Sequence, residues 1–369
     1  MKLALAHNRD YAFNAICPYY TMFPLEYPMG IINKHRKSSP VLLDPFCGRG
    51  TTLYAARRFN FPSYGLDTSA IATAIARAKL ARASLDQVLK LAEELLQATP
   101  SELPSEEFFQ HAFAPSTLTE ICSLREGLRN RTSDKAAILR AAALGCLHGP
   151  LPVAGGTASY FSNQMPRTFA SKPAYSVRFW KERDMKPPKV SVLDVIRKKL
   201  SRITDLDAAS SGKPQDVQCK DARLASSYDH ITGASITITS PPYYGMTTYV
   251  EDQWLRAWFL GGPSEIDYGN RTQLRHSGHD VFIAELAKVW TNVLAVSNDE
   301  AHLYVRFGAI PSVKSDPRKI LKASLEEAIG WKLLSLRNAK TSDAGRRQAD
   351  QMGSLSAPAE EFDFHAIRA

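Results

Sequence analysis

Residues 41 to 52, VLLDPFCGRGTT, constrain this chain more than any other stretch. Val41, Leu42 and Leu43 form an apolar run too short for a helix, Pro45 interrupts it, and Gly48 and Gly50 allow backbone geometry closed to other side chains. The pattern predicts a buried strand, a tight turn and a helix start. In an open parallel sheet, ligands sit beyond the carboxyl ends of the strands, where the first amides of the next helix offer a polar floor. A ligand is therefore expected above this turn. An ordinary strand-to-helix connection is the alternative, but it has no need of an acid, Asp44, directly at the strand end.

The following residues extend the same architecture. A helix is predicted over Thr51 to Phe59, then a second strand, SYGLD, ending at Asp67. Asp67 lies 23 residues after Asp44, close to the roughly 20-residue interval at which an acid on the second strand reaches ribose hydroxyls in nucleotide-binding sheets. A second reading makes Asp67 only the N-cap of the next helix, as D-T-S-A-I-A allows. Residues 70 to 98 carry apolar positions three and four apart and predict a long helical stretch with a break near Ser84. More helix is expected from 99 to 160. DVQCKD at 216–221 reads as a third strand, and ASITITS as a fourth that delivers Ser240, Pro241, Pro242 and Tyr243 at its carboxyl end. Trp254, Leu255 and Trp258 share a helix face and read as core. AHLYVRFG is expected as a buried strand, 316–330 as a helix, and WKLLSLRNA with EEFDFHAIR as a terminal antiparallel hairpin, with 340–356 as its mobile connection.

DPFCGRGTT at 44–52 and TSPPYYG at 239–245 resemble, respectively, the cofactor-loop and catalytic motifs of the amino-methyltransferases that modify exocyclic nitrogens of DNA bases using S-adenosylmethionine. The resemblance covers about two thirds of the chain, from Pro18 to Leu80 and from about Val217 onward. It implies an α/β, Rossmann-like methyltransferase fold: a mostly parallel seven-stranded sheet with a C-terminal antiparallel hairpin and a large helical or loop insertion. The catalytic domain is expected over 1–85 and 212–369, with 86–211 as a target-recognition insertion. By the same resemblance Tyr20, Thr21, Met22, Phe23, Asp44, Pro45, Phe46, Cys47, Gly48, Gly50, Thr51, Asp67 and Asp221 would bind the cofactor. Ser240, Pro241, Pro242 and Tyr243 would be catalytic. An exocyclic amine is a poor nucleophile because its lone pair is delocalised into the ring. Ser240 and the Pro241 carbonyl would accept its hydrogens and localise that lone pair, while Tyr243 stacks on a base flipped out of the duplex. An SPPY-type motif favours cytosine N4 over adenine N6. Arg49 departs from the family loop, where a small residue is usual; it would crowd the cofactor or face solvent.

The formal charge of +9 is concentrated: Arg167 to Arg202 holds 11 Lys or Arg against 3 Asp or Glu. With aromatics interleaved, this segment suits nucleic acid, cations meeting phosphates and flat rings stacking on bases. Arg167, Lys172, Tyr175, Arg178, Trp180, Lys181 and Arg183 are the expected contacts; the competing reading is a helical cover whose aromatics form its own small core. Double-stranded DNA is the expected partner, with a restriction or defence-system protein as a further one.

Several classes are disfavoured. No apolar run spans a bilayer and no signal peptide is evident, so a cytoplasmic location is expected. Five scattered cysteines give neither a disulfide framework nor a metal-ligand spacing, and His276 and His279 alone make no metal site. No Pro-Cys dipeptide exists to supply the thiolate for methylation at ring carbon 5. Guanine-N2 methyltransferases of transfer RNA share similar motifs but usually carry an RNA-binding domain ahead of them, and only 43 residues precede Asp44. A catalytically idle DNA-binding subunit of a defence complex is the non-enzymatic rival. A nicotinamide-dependent dehydrogenase would leave TSPPY without a role.

Overall fold

A computed structural model describes residues 12–19, 23–150, 158–165, 172–203, 206, 213–246, 250–268, 274–310, 313, 315–339 and 360–369. The first elements are α1 (Glu26–His35), β1 (Leu42–Asp44), α2 (Thr51–Phe59), β2 (Ser63–Asp67) and α3 (Ala70–Leu80). Helices α4 (Leu85–Leu96), α5 (Glu107–Ala112), α6 (Pro115–Leu128), α7 (Asp134–Cys146), α8 (Pro173–Lys181) and α9 (Val192–Leu200) follow. Then come β3 (Gln215–Cys219), β4 (Ala234–Thr239), α10 (Val250–Phe259), α11 (His279–Val296), β5 (Ser297–Gly308), α12 (Pro317–Ala328), β6 (Trp331–Asn338) and β7 (Glu361–Arg368).

The chain divides into two compact units. A sheet unit comprises Tyr20–Leu80, Ser210–Thr248 and Arg271–Ala369; a helical unit comprises Met1–Tyr19, Ala81–Ala209 and Tyr249–Asn270.

In the sheet unit the strand order is β3-β2-β1-β4-β5-β7-β6. Strands β1 to β5 pair in parallel, and β7 runs antiparallel to both β5 and β6. The apolar run at β1 is buried at every position, as expected of a central parallel strand covered on both faces. β7 instead alternates, burying Phe362, Phe364 and Ala366. Helix α11 closes the core over β4 and β5 through Phe282, Leu286 and Trp290, which pack with Leu303, Val305 and Phe307. The connection expected at 340–356 lies outside the described residues.

The expected break near Ser84 is a capping box. Ser84 Oγ accepts from Gln87 N at 3.2 Å and Gln87 Oε1 accepts from Ser84 N at 2.9 Å, satisfying two helix-end donors for about 1 kcal/mol. It marks the passage from the sheet unit to the helical unit.

The helical unit is built on aromatic rings. Phe108 meets Trp254 at 4.7 Å and Trp180 at 5.5 Å, and Phe109 meets Trp258 at 4.7 Å. Arg256 fastens the segment before α1, its Nη1 donating to the Pro18 carbonyl at 2.7 Å and its Nε to that of Leu144 at 3.2 Å. This unit is wider than the 86–211 insertion expected from the sequence. α10 supplies Trp254 and Trp258 to a core formed by residues over a hundred positions earlier, a complementarity that no local pattern announces. Among the described residues no helix is long and apolar enough to cross a membrane.

Candidate active site

Strand order reverses direction between β1 and β4: β2 and β3 extend to one side, β5 to the other. Such a switch point opens a crevice at the strands' carboxyl ends, because the loops leaving the two strands turn opposite ways. The DPFCGRG turn leaves β1 here and the SPPYYG loop leaves β4. A direct bond joins their roots, Thr239 Oγ1 donating to Asp44 Oδ1 at 2.6 Å. Thr52, the second residue of α2, ties the same region by donating from Oγ1 to the Ile238 carbonyl at 3.1 Å.

Asp44 is only 1% exposed. Its Oδ1 also accepts from Phe46 N at 3.2 Å. Burial raises its pKa to about 7, against the hydrogen bonds from Thr239, Thr52 and Phe46 that favour the ionised form. Asp44 therefore works beneath the turn, holding the two strand ends together. Asp67 retains partial exposure and grips the turn from the β2 side, Oδ2 accepting from Gly48 N at 2.9 Å and Oδ1 from Ser69 N at 2.8 Å. Burial raises its pKa and those two amides oppose the rise. Helix α3 is capped by the Ser69 hydroxyl, which accepts from Ala72 N, so the simple N-cap reading of Asp67 passes to Ser69.

Both turn glycines are left-handed, Gly48 at φ +49° and Gly50 at φ +75°. A Cβ on Gly50 would lie 2.8 Å from Ala76 Cβ, so this glycine serves helix packing. One on Gly48 would meet nothing within 4 Å, so there the backbone faces open space that a ligand can enter. Pro45 and Thr51 are buried, Phe46 is half-buried beside Trp290, and Cys47 packs with Leu53, Ala76 and Val217. Burial pushes the Cys47 thiol well above its usual range. Arg49 is buried too, so it does not stand in solvent.

Phe23 is buried and packs edge-on against Tyr27 of α1 at 5.2 Å; Tyr20, Thr21 and Met22 lie outside the described residues. Asp221, just past β3, is committed to Arg223, whose Nη2 donates to its Oδ2 at 2.6 Å and whose Nε donates at 3.0 Å. Burial works to raise the Asp221 pKa, but these bonds win and hold it below the usual carboxylate range.

In the SPPY loop Ser240 and Pro242 are partly exposed and Pro241 is buried. Tyr243 is drawn inward, 9% exposed, with its ring edge-on to Phe307 at 5.6 Å. Its hydroxyl donates to Glu361 Oε1 at 2.8 Å. Burial, with the Glu361 carboxylate next, raises the phenol well above its usual pKa. In this arrangement Tyr243 presents no face to a base. Its neighbour Tyr244 is the half-exposed ring, standing among His276, His279 and Phe282.

Glu361, absent from the sequence-based expectations, enters through strand register. It lies opposite Gly308 across β5 and β7, and a Cβ on Gly308 would come within 3.0 Å of the Tyr243 ring. No motif pairs residues 118 positions apart, so only the hairpin could have revealed it.

On and beside α8 of the helical unit, Lys172, Tyr175, Arg178, Lys181 and Arg183 reach solvent. Each of the four cations has a carboxylate close by: Lys172 pairs with Glu251, Lys181 with Glu107, and Arg178 and Arg183 with Glu182. Tyr175 is 42% exposed. Trp180 corrects the expectation of base stacking: it is 0% exposed, its indole nitrogen donating to the Gln164 carbonyl at 3.1 Å. A large apolar ring on the inner face of an amphipathic helix is worth more in the core than at the surface. Arg167 lies outside the described residues.

A parallel sheet in the order 3-2-1-4-5-7-6, with only its seventh strand reversed, is the Rossmann-like methyltransferase fold. No protein-family model and no curated protein matches the chain. Among solved structures, the chain is similar to the rRNA methyltransferase AviRa from Streptomyces viridochromogenes, at 13% identity over 95% of this chain and 87% of that one with a TM-score of 0.34. It is also similar to magnesium protoporphyrin IX methyltransferase from Synechocystis PCC 6803 with bound S-adenosylmethionine, at 9% identity over 98% and 95% with a TM-score of 0.32. Superpositions this loose carry no argument, and the fold assignment rests on strand order and direction.

Proposed function

We propose that this chain is an S-adenosylmethionine-dependent methyltransferase that methylates an exocyclic amino group of a DNA base, with cytosine N4 preferred over adenine N6. The observation that carries this reading is the 2.6 Å bond between Thr239 and Asp44, because it roots a glycine turn and an SPPY loop side by side at the sheet's switch point. The turn fits the cofactor: Gly48 leaves its backbone open, and the partly exposed Asp67 carboxylate ends the neighbouring strand. When bound, S-adenosylmethionine supplies a methyl group on a positively charged sulfur.

The chain's own residues act on the other reactant. Tyr243 commits its only hydroxyl hydrogen to Glu361, so that hydrogen is not spent on Ser240. Both Ser240 lone pairs then remain for the hydrogens of a substrate amine. The Pro241 carbonyl accepts alongside Ser240, and the adjacent prolines hold the loop's shape. The base is reached by flipping from double-stranded DNA, and the exposed cations on and beside α8 are the proposed phosphate contacts, exchanging their carboxylate partners for phosphates. A nuclease or other defence protein is the companion this reading implies.

The inward Tyr243 favours a second reading, an idle methyltransferase fold serving as a DNA-binding subunit. Expressing the chain in a host without DNA modifications and sequencing that DNA for modified bases separates the two. The enzyme leaves N4-methylcytosine at defined positions; the idle subunit binds labelled S-adenosylmethionine and leaves every base unmodified. N6-methyladenine would move the assignment to adenine, and label on RNA alone would make the chain an RNA methyltransferase.

A further inference from the structure

The loop that carries Ser240 is held from one side by a histidine. Gly245 N–H donates to His276 Nδ1 at 3.0 Å, and Tyr244 Oη donates to the His276 carbonyl at 3.4 Å. The His276 ring is stacked on Phe282 of α11, with centroids 5.3 Å apart and planes at 28°. Gly245 is itself left-handed at φ +82°, and a Cβ there would lie 2.7 Å from Val313 Cγ2. The end of the SPPYYG loop thus has little room to settle elsewhere.

Roles in the Gly245 bond are fixed by chemistry. A backbone amide only donates, so Nδ1 must offer its lone pair and the neutral ring carries its hydrogen on Nε2. A second proton can enter only at Nδ1, where it would point one N–H at another and replace a hydrogen bond with repulsion.

We propose that His276 is a positioning residue that latches the Ser240–Gly245 loop, and does so only as the neutral imidazole. The latch itself follows from this geometry; its effect on catalysis rests on the methyltransferase reading above.

The surroundings favour the neutral ring. Burial lowers the His276 pKa, while Glu285 pulls it upward. Glu285 is itself engaged, accepting from Arg275 N at 2.7 Å and paired with Arg275 and Arg223 at 2.5 and 2.9 Å, so its pull on the ring is shared with two cations. Tyr244 packs on His276 and on His279 beside it, the other polar groups there among the described residues. Because the folded state resists protonation, the latch is fully present above the ordinary imidazole value of about 6.5 and is lost only as pH falls through the lower value of the folded ring.

The test uses the full chain labelled with 15N-histidine. Long-range 1H–15N spectra should show His276 as the Nε2–H tautomer, titrating below the ordinary imidazole value. Exchange of the Gly245 amide should be about fivefold faster in His276→Ala. It should match wild type in His276→Asn, whose Oδ1 replaces Nδ1 as acceptor and does not titrate. The Nδ1–H tautomer, titration at the ordinary value, or equal Gly245 exchange in all three proteins would overturn the latch. Given a DNA substrate, His276→Ala should lower kcat and leave KM for S-adenosylmethionine unchanged, with His276→Asn restoring kcat and flattening the acid limb of the pH profile. If wild type methylates nothing, the enzymatic reading fails while the exchange and tautomer results still decide the latch.

Discussion

Gly48 and Gly50 share a left-handed backbone, yet a methyl group on each meets different surroundings. Alanine at either position costs about 1–3 kcal/mol for the backbone alone. Gly50→Ala adds a collision with Ala76 at 2.8 Å and should lower Tm well below that of Gly48→Ala. Gly48→Ala should fold but lose S-adenosylmethionine binding by calorimetry, because its methyl group projects into the space assigned to the ligand. Asp44 carries a separate prediction. With its folded pKa raised to about 7, the native state keeps a proton that the unfolded chain releases above about pH 4. This group's contribution to stability therefore falls as pH rises from about 4 to 7. Asp44→Asn still accepts from Thr239 and Phe46 and has no charge to bury. It should be more stable than wild type by about 1–3 kcal/mol at pH 8, with the advantage shrinking toward pH 5 in urea titrations. A variant less stable at both pH values would show that Asp44 is ionised in the fold.

At the scale of elements, local chemistry was legible and distant pairing was not. The span Thr51 to Phe59, the strand SYGLD and the strand ASITIT stand where apolar runs and glycine punctuation put them, because each is decided by neighbours within a few residues. The terminal hairpin was readable from the alternation in EEFDFHAIR. Tyr243 and Trp180 were not: whether a ring lies in the core or on the surface depends on what covers it, here Phe307 and Glu361 for one and Phe108 for the other. Tyr175 and Trp180 of α8 can be told apart experimentally. Trp180→Ala should destabilise the protein by about 3–5 kcal/mol through a large cavity. Tyr175→Ala should leave the stability within about 0.5 kcal/mol of wild type and weaken DNA binding. DNA affinity unaffected by Tyr175→Ala, measured by fluorescence anisotropy, would remove this ring from the proposed interface.

On the scale of the whole molecule, the two compact units have different bounds from the 86–211 insertion expected from the sequence. The helical unit draws on three stretches of chain, Met1–Tyr19, Ala81–Ala209 and Tyr249–Asn270, whereas composition marks only the middle one. The DPFCGRG and SPPY motifs nonetheless fall wholly within the sheet unit, where Asp44 and Thr239 join them. The most direct measurement is transfer of label from methyl-labelled S-adenosylmethionine to unmodified double-stranded DNA by wild type and by Ser240→Ala, both saturated with cofactor. Wild type should place the label on cytosine N4. Ser240→Ala should bind the cofactor equally well and transfer at least about a hundredfold more slowly, as expected when an acceptor that acts only in the transition state is lost. Equal transfer by both proteins, or cofactor binding with no transfer by wild type, would contradict the account.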